Sequence, residues 1–391
     1  MLDGLKVVVV GGGIAGLAAA RALAMKGARV TVLEQAAEIT EVGAGLQISP
    51  NGIAVLRALG LEQALEQGGA VRGHAVRLID YRGSEVLRLD LDRLGGQKYF
   101  FVHRADLISL LEKGARDAGA NIETGARVAR IEDGVEPVVH LEDGGTRRAD
   151  LVIGADGLHS RLRPVLNGEA KPFFTGQVAW RALIPNDLGI APEARVHMGP
   201  GRHLVSYPLR GGSLINLVAV REQRGWIEEG WNLRDKPDNL RAAFADFGAE
   251  AQAMLAQVDE VYLWGLFRHP VAETWHGRAV ALVGDAAHPT LPFMAQGAVM
   301  ALEDIWVLAD ALDRAETVSA GLASYQARRI ERATRVIDAA TGNAWKYHLR
   351  FPPVRIAAHM ALRLGGAIMP ERMVHQFDWI YAHDVTREAG D

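Results

Sequence analysis

The sequence predicts an α/β protein in which a parallel sheet with flanking helices is interleaved with an antiparallel sheet and followed by a helical C-terminal region. Two patterns that alternate along the 391 residues predict this class. In the first, a run of β-branched residues leads into a segment with apolar residues every three to four positions and then into a second apolar run. In the second, apolar and polar residues alternate between glycine-containing turns. Because the first pattern returns after each block of the second, we expect interleaved domains.

The first pattern opens the chain. It predicts a strand from Lys6 to Val10, a helix from Ile14 to Lys26 and a strand from Arg29 to Glu34. The first 25 residues are interrupted by glycines and carry no cleavage site of small residues, so we do not expect a secretory signal. This β-α-β unit is typical of one half of a dinucleotide-binding domain.

Glycines between the first strand and the first helix carry the strongest local signal. They form the pattern Gly11-x-Gly13-x-x-Gly16, and Glu34 ends the next strand. Glycines allow the tight turn and the close approach of a pyrophosphate, the helix N-terminus favours negative charge, and the acid accepts from a ribose hydroxyl. Glu34 also argues against a 2′-phosphate in this pocket, since two anions would meet there.

The second pattern predicts hairpins with turns at residues 82–84, 199–201 and 211–212. A helix near 105–118 and a strand pair ending in "ADLVIGADG" lie between the first hairpin and the others. The expected division is a discontinuous nucleotide-binding domain of residues 1–72, 98–175 and 277–344, an antiparallel-sheet substrate domain of residues 73–97 and 176–276, and a C-terminal helical region of residues 345–391.

Composition restricts the class of function. Hydrophobic residues make up 49% of the chain, and 43 basic against 47 acidic residues give a net charge of −4, without a basic block. We therefore expect a soluble protein that does not bind nucleic acid. Zero cysteines exclude disulfides and thiolate chemistry and fit a cytoplasmic location. No histidine and carboxylate spacing suggests a metal site. The apolar segment 354–370 contains two arginines and a histidine, so no integral membrane span is expected, although contact with a membrane surface stays open.

Two later segments favour FAD over NAD as the dinucleotide. "LVIGADGLHSRLR" is an apolar strand followed by Asp156-Gly157, and "ALVGDAAHPTLPFMAQGAVMALED" is an apolar strand followed by Asp285 and a helix that starts near Gly297. Asp285 can accept hydrogen bonds from a polyhydroxy chain, and the N–H groups at the head of the helix can stabilise the anion of a reduced flavin. NAD does not need a second site this far along the chain.

These motifs, together with "GGGIAGLAAARAL", "VTVLEQ" and "HRADL", resemble the single-component FAD-dependent aromatic hydroxylases, which include salicylate and 3-hydroxybenzoate hydroxylases. The resemblance covers nearly the whole chain, with the motifs in the family's order. It implies a Rossmann-like FAD-binding domain, tightly bound non-covalent FAD, and NAD(P)H and O2 as co-substrates. A flavin hydroperoxide would then hydroxylate a small phenolic or hydroxylated aromatic acid. NADH or NADPH, and loss of a carboxylate, stay open.

The resemblance also implies which residues bind FAD, its two phosphates, its ribityl chain and its ring. They are Gly11, Gly13, Ile14, Ala15, Gly16, Glu34, Gln35, Arg104, Asp156, Gly157, Arg161, Gly284, Asp285, Pro292, Gly297 and Ala298. In the family, Asp156-Gly157 also serves the pyrophosphate of NAD(P)H. The walls of the substrate pocket are expected to include Leu46, Gln47 and Pro292.

Hydroxylation of a phenol needs a base that faces the ring. His203 and Tyr207 lie four residues apart on one predicted strand and so share a face. By resemblance His203 is the candidate base and Tyr207 a neighbour of substrate or flavin, and the alternative is ordinary packing. Gln296 is expected to hydrogen-bond the substrate, or else to neighbour a helix cap.

Other residues of the motifs are assigned to structure. His288 is expected to be structural, and the acidic pair Glu303-Asp304 to be solvated or capping. Val299 departs from the smaller or polar residue of relatives, which would alter the shape of the flavin pocket.

Two alternatives to a small aromatic acid stay open. One is a larger, lipid-linked or polycyclic aromatic substrate, for which Trp345, Phe377 and Trp379 would help membrane or ligand contact. The other is a flavin-binding redox module without turnover. A monomer or a homodimer is expected.

Overall fold

The computed structural model describes residues 1–39, 44–93, 95–225 and 233–387. The strands within these ranges are β1 (Lys6–Val10), β2 (Arg29–Leu33), β3 (Gly45–Ile48), β4 (Val71–Arg72), β5 (Ala75–Asp80), β6 (Glu85–Asp90), β7 (Phe100–His103), β8 (Asn121–Glu123), β9 (Val128–Glu132), β10 (Val138–Leu141), β11 (Thr146–Arg148), β12 (Leu151–Gly154), β13 (Phe173–Pro185), β14 (Glu193–Gly199), β15 (Arg202–Leu209), β16 (Leu214–Glu222), β17 (Leu233–Asp235), β18 (Val261–Arg268) and β19 (Val280–Leu282).

The helices cover the faces of the sheets and form the C-terminal third. They are α1 (Ile14–Ala24), α2 (Pro50–Ala58), α3 (Glu62–Gln67), α4 (Arg104–Asp117), α5 (Arg163–Asn167), α6 (Pro237–Ala243), α7 (Ala249–Ala256), α8 (Gly297–Arg314), α9 (Val318–Tyr347), α10 (Pro352–Ile368), α11 (Pro370–His375) and α12 (Asp378–Tyr381).

A five-stranded parallel sheet in the order β19-β12-β1-β2-β8 forms the nucleotide-binding part. Its valine-rich strands are almost wholly buried, as expected for a parallel sheet covered by helices on both faces. The predicted β-α-β unit is confirmed, but α1 ends at Ala24, two residues early. Gly27, at φ +91°, makes the turn that follows and returns the chain to β2.

An eight-stranded sheet in the order β17-β18-β13-β16-β15-β14-β5-β6 forms the second layer. The three predicted hairpins are confirmed as β5-β6, β14-β15 and β15-β16. The sheet is not wholly antiparallel, however, because β5 pairs with β14 in parallel. About a hundred residues connect the β5-β6 hairpin to β14, which is enough chain for β14 to pair with β5 in either the parallel or the antiparallel direction. The alternation of apolar and polar residues therefore does not decide this pairing.

The C-terminal helices pack against both layers. α9 crosses position 344 without interruption, so the expected boundary between residues 344 and 345 falls inside a helix. Arg332 on α9 donates to the carbonyl oxygens of Trp379 (2.8 Å) and Ile380 (3.1 Å) and so ties α12 to α9. In the ranges described, no helix has the length and apolar character needed to cross a bilayer.

Candidate active site

A cavity of about 1020 Å³ is lined by both layers, at the upper end of the size of cofactor sites. It brings together most of the residues that the sequence singled out. Those that line it are Gly11, Gly13, Ile14, Ala15, Glu34, Gln35, Leu46, Gln47, Arg104, Asp156, Gly157, Arg161, His203, Tyr207, Asp285, Pro292, Gly297 and Ala298. Gly16, Gly284 and Gln296 do not line it.

The three glycines of the first motif have different physical roles. A Cβ on Gly11 (φ +106°) would lie 2.4 Å from the carbonyl oxygen of Ala155, and a Cβ on Gly16 would lie 1.8 Å from the carbonyl oxygen of Gly11. These two glycines therefore permit close packing of backbone on backbone. A Cβ on Gly13 would meet no atom within 4 Å. Gly13 begins α1, which has no side-chain cap, so the free N–H groups of the first turn are available to an anion.

Glu34 is held by the backbone around it. Its Oε2 accepts from the N–H of Gly12 at 2.7 Å, and its Oε1 accepts from the N–H of Ala36 at 2.8 Å. Each carboxylate oxygen keeps a lone pair with which to accept from a ribose hydroxyl. The carboxylate is thus already oriented, and it faces the cavity beside the start of α1.

Asp156 presents an acceptor that lacks a partner. Its Oδ2 accepts from the N–H of Arg161 at 2.6 Å, whereas its Oδ1 is buried with no hydrogen-bond partner. Burial raises the pKa of Asp156. A buried acceptor without a donor is rare, and a ligand hydroxyl in the cavity would satisfy it.

Asp285 and the start of α8 form the middle of the cavity. Asp285 has an exposed side chain that faces the cavity, and desolvation by the surrounding protein atoms raises its pKa. The 18-residue helix α8 begins at Gly297 without a side-chain cap. Like α1, it therefore directs unsatisfied N–H groups and the positive end of its dipole into the cavity.

Gly284 acts by letting the two helices converge. It has φ +57°, and a Cβ there would lie 3.2 Å from Cβ of Ala301 on α8 and 3.3 Å from Cβ of Ala15 on α1. Gly284 and Gly16 thus position the site through packing, and the structure places neither of them in direct contact with the cavity.

His203 and Tyr207 lie on one face of β15 at the opposite end of the cavity, here called the ring end. His203 is 2% exposed and packs between Phe293 and Tyr347, at ring-centroid distances of 5.5 and 5.4 Å. Tyr207 stacks on Phe101 at 5.2 Å, and burial raises its pKa. The shared face predicted from their spacing is what the structure shows.

Gln296 is placed away from the cavity lining. Its Nε2 donates to Oγ of Ser49 at 3.0 Å, and its Oε1 accepts from Nδ2 of Asn51 at 3.2 Å. The side chain is committed to a buried network between α2 and α8. The geometry therefore supports the cap-neighbour alternative for Gln296, and no contact with substrate.

The acidic pair Glu303-Asp304 is buried, so the expectation of a solvated or capping pair is wrong. Glu303 pairs with Arg329 and Arg332 at 2.8 Å each, and Asp304 pairs with Arg329 at 2.9 Å. Burial alone would raise the pKa of Glu303, but the two arginines outweigh it and lower the pKa to about 2. This buried network joins α8 to α9 and belongs to the scaffold.

Val299 does not shape the cavity. It is fully buried, and a Cβ on Gly52 of α2 would approach its Cγ2 to 3.0 Å. The departure from relatives is therefore accommodated between α2 and α8.

Three side chains of the ring end were not assigned to the site from the sequence. Arg181 on β13 lies over the ring of Trp264, with 3.5 Å between its Cζ and the ring centroid. Tyr347 and Tyr381 enter from the C-terminal helices. Neighbouring residues on β13 point to opposite faces of the eight-stranded sheet. Since Trp180 packs on the outer face, this alternation predicts that Arg181 lies on the inner face, towards the cavity. Nothing in the sequence locates the two tyrosines, because their position depends on helix packing.

A second cavity of about 670 Å³ adjoins the first and shares Leu158, His159 and Arg161 with it. Arg130 and His269 also line it, and Nδ1 of His269 is buried without a partner. Its lining is rich in positive charge. Among the described residues, no group of three or more potential metal ligands is assembled.

The comparisons with known proteins agree with this geometry. The FAD binding domain family matches residues 4–340. The 3-amino-4-hydroxybenzoate 2-monooxygenase PtmB3 of Streptomyces platensis is 34% identical over 393 aligned positions, covering 97% of this chain and 96% of that protein. The 3-hydroxybenzoate 6-hydroxylase of Klebsiella oxytoca is 34% identical, covering 88% of this chain and 89% of that protein. A salicylate hydroxylase in a substrate complex superposes with a TM-score of 0.84 at 25% identity, covering 99% of this chain and 97% of that one.

The matches confirm the resemblance inferred from the motifs, and they extend over nearly the whole chain. FAD is the cofactor of this family. The chain therefore belongs to the FAD binding domain family, among its aromatic-ring monooxygenases.

Proposed function

We propose that the protein hydroxylates a small phenolic or hydroxylated aromatic acid with tightly bound FAD, NAD(P)H and O2. One observation carries this proposal: a single cavity is lined both by the start of α1 and by a ring end that holds a base, a cation and aromatic side chains. Bound FAD, once reduced, supplies the activation of oxygen. The protein supplies binding, orientation, exclusion of water and movement of protons.

The residues of the cavity fit FAD from one end to the other. The N–H groups at Gly13 and the start of α1 would receive the pyrophosphate, and Glu34 would accept from the ribose. The partnerless Oδ1 of Asp156 and the carboxylate of Asp285, which faces the cavity, would accept from hydroxyls. The start of α8 at Gly297 would meet the flavin ring.

At the ring end, Arg181 is proposed to bind the carboxylate of the substrate and His203 to accept the phenolic proton. Of the four arginines that line the cavity in the described ranges, Arg181 is the one that the eight-stranded sheet contributes. A planar guanidinium whose Cζ lies 3.5 Å from the ring centroid of Trp264 is held in place there and suits a carboxylate. Since the substrates named for the two relatives are hydroxylated benzoates, a small aromatic acid fits this pair of groups.

A larger substrate has less support. Trp345, Phe377 and Trp379 are not among the residues that line the cavity, and the C-terminal helices contribute Tyr347 and Tyr381 to it. Both tyrosines are polar-tipped aromatic side chains suited to a small oxygenated ring.

NAD(P)H is proposed to dock in the second cavity, where Arg130, His159 and Arg161 would meet its pyrophosphate. The two cavities share residues 158, 159 and 161, so a nicotinamide ring can reach the first cavity from the second. Dependence on NAD(P)H favours the cytoplasm as the location.

The domain division and a homodimer are further parts of this proposal. The parallel sheet would bind the nucleotide and the eight-stranded sheet the substrate.

The outward face of α10 supports the homodimer, because a monomer rarely exposes a contiguous apolar patch above a few hundred Å². Four large apolar side chains of this helix are 54 to 71% exposed, namely Ile356, Met360, Leu364 and Ile368.

Light scattering tests the homodimer. The unmodified protein should have twice the chain mass of 42.3 kDa, and Met360→Glu with Leu364→Glu should halve the observed mass. A monomeric unmodified protein contradicts the homodimer.

Oxidation of NADH and of NADPH in air tests the activity. The FAD-loaded protein is offered hydroxybenzoates, hydroxynicotinates, quinol precursors and polycyclic phenols, and product masses are recorded. A small aromatic acid should accelerate the oxidation and gain one oxygen. Acceleration by polycyclic or lipid-linked phenols alone would favour the larger substrate, and retained FAD with no acceleration by any compound would favour the redox module.

A further inference from the structure

A hydrogen-bonded chain of side chains connects the ring end to the surface. Nδ1 of His203 lies 2.7 Å from Nε2 of His348, and Nδ1 of His348 lies 3.1 Å from Oε1 of Glu222. Oε2 of Glu222 accepts from Arg350 at 2.6 and 3.0 Å. The two histidines are buried, whereas the Glu222 side chain is 34% exposed and that of Arg350 66%. The chain therefore runs from the cavity to solvent.

Backbone contacts hold this chain in register. His203 lies near the start of β15, Glu222 ends β16, and His348 follows α9. The N–H of Gly201 donates to the carbonyl oxygen of His348 at 3.1 Å, and the N–H of Glu222 donates to the carbonyl oxygen of Gly201 at 2.9 Å. Gly201 has φ +67°, and a Cβ there would lie 2.5 Å from Nη2 of Arg350. The hairpin turn is thus built to let Arg350 approach.

The acid at the outer end determines the tautomer of both imidazoles. An ionised carboxylate only accepts, so Nδ1 of His348 must carry the proton that Glu222 receives. Nε2 of His348 is then an acceptor, and Nδ1 of His203 must be its donor. His203 is left with an unprotonated Nε2, which is the atom available to a hydroxyl in the cavity.

The charge states of the groups agree with this direction. The titratable groups that face His203 are His348 and Tyr347. Burial, and to a smaller extent His348, lowers the pKa of His203. Burial also lowers the pKa of His348, although Glu222 opposes this shift. Burial raises the pKa of Tyr347 to about 12. Burial alone would raise the pKa of Glu222, but Arg350 and His348 lower it. Near pH 7 the chain thus holds two neutral imidazoles, and its one carboxylate is paired with Arg350.

We propose that His203, His348 and Glu222 form a proton relay that carries the phenolic proton of the substrate from the ring end to solvent. This inference rests on the proposed function. The substrate O–H bond breaks as Nε2 of His203 gains a proton, and Nδ1 of His203 passes its own proton to Nε2 of His348. Nδ1 of His348 then passes its proton to Glu222, which releases it to water. Each imidazole gains one proton and loses one, so neither imidazole stays charged, and the phenolate formed in the cavity is the anion that balances the proton released to water.

His203 is the member that would touch the substrate, and His348 and Glu222 are positioning residues that act through it. Without them, His203 could take the phenolic proton only by becoming a buried cation beside Phe293 and Tyr347. The relay therefore explains how a deeply buried histidine can act as a base.

The first test needs neither substrate nor turnover. In the FAD-loaded protein labelled with ¹⁵N-histidine, the nitrogen shifts at pH 7 should show His203 and His348 neutral, each with its proton on Nδ1. Glu222→Leu, which removes the acceptor at Nδ1 of His348, should abolish this uniform tautomer. A His203 that carries its proton on Nε2 in the unmodified protein would overturn the relay, whether or not the protein proves to be a hydroxylase.

The second test uses the phenol that accelerates NAD(P)H oxidation and follows the ultraviolet absorbance of its phenolate after rapid mixing. His348→Gln and Glu222→Gln should slow the appearance of phenolate by about tenfold or more, with FAD content and substrate affinity retained. The matched control is His359→Gln, which removes another buried histidine beside a carboxylate, 3.3 Å from Asp80 and outside the cavity lining. Wild-type rates in both relay variants would overturn the proposal.

Discussion

The two ends of the cavity are built by different means. At the nucleotide end, the groups that would hold FAD are largely backbone N–H groups at the starts of α1 and α8, oriented by glycines and by strand ends. At the ring end, the groups are side chains from β13, β15 and the C-terminal helices. Backbone sites depend on local geometry, whereas side-chain sites depend on how distant elements pack. The nucleotide end is therefore expected to tolerate few changes in its glycines, and the ring end to tune specificity residue by residue.

The largest effect is expected from the glycines of the first motif. Gly16→Ala places a Cβ where the carbonyl oxygen of Gly11 lies 1.8 Å away, so the variant should fail to fold. Gly13→Ala meets no atom of the protein and should fold, but its methyl group enters the anion site. Circular dichroism and FAD absorbance after gel filtration separate the two results. Loss of folding in Gly13→Ala, or FAD retained at wild-type occupancy by that variant, would contradict the roles given to these glycines.

Glu34→Ala tests the ribose contact. It removes a charged acceptor and leaves the N–H groups of Gly12 and Ala36 without it, so FAD should bind about 10- to 100-fold more weakly. Titration of the apoprotein with FAD, followed by flavin fluorescence, measures this. Glu132→Ala, at an exposed strand position, is the control. If Glu34→Ala binds FAD as tightly as the unmodified protein does, Glu34 does not contact the ribose.

Arg181→Gln tests the ring end. If the guanidinium binds the substrate carboxylate, KM for an aromatic acid should rise about 10- to 100-fold, while FAD affinity stays the same. Arg234→Gln, which removes a mainly exposed arginine near Tyr262, serves as the control. A KM that does not change would show that the carboxylate lies elsewhere.

The smallest effect on binding and turnover, with a change in stability alone, is expected on the outer face of the same sheet. His197 lies on β14 beside Val196, which lines the cavity, but points away from it and is buried with both ring nitrogens unpaired. Burial lowers its pKa to about 4, with Arg195 and Arg77 adding to the effect and Glu250 opposing it. Between pH 6.5 and pH 4 the imidazole of His197 is therefore protonated in the unfolded chain but neutral in the folded protein. The free energy of unfolding falls as the pH drops through this range, by on the order of 3 kcal/mol for this group.

His197→Leu should remove that part of the acid sensitivity and raise the melting temperature at pH 5 by several degrees, because an unpaired polar group is replaced by an apolar one. Thermal unfolding measured at pH 5 and pH 7 checks both statements. If the melting temperature of His197→Leu differs between pH 5 and pH 7 by as much as that of the unmodified protein, the imidazole of His197 has a hydrogen-bond partner in solution.

Much of the fold follows from the sequence because its signals are short-range. The β-α-β unit, the hairpin turns and the long C-terminal helices depend on periodicity and on turn residues, and the structure has all of them. The parallel pairing of β5 with β14 was not predictable in this way, because it joins segments about a hundred residues apart.

The same distinction separates the site residues that could be foreseen from those that could not. Alternation along β15 is enough to bring His203 and Tyr207 to one face. Gln296 directly precedes the equally clear helix α8 and Glu303 lies within it, yet their surroundings come from α2 and α9. A helix pattern states which residues share a face, but it does not state what that face meets.

By itself, the sequence determined the nucleotide-binding half of this protein: the glycine turn, the acid that directly follows β2 and the uncapped start of α8 are local, and backbone chemistry acts within a few residues. Only the tertiary structure decided the ring end, where Arg181 and Tyr347 meet His203 in the cavity lining and His348 links it to Glu222. The physical reason is that a side-chain site exists only after separate elements have packed. Its members are brought together by the burial of apolar surface, which sequence spacing does not record.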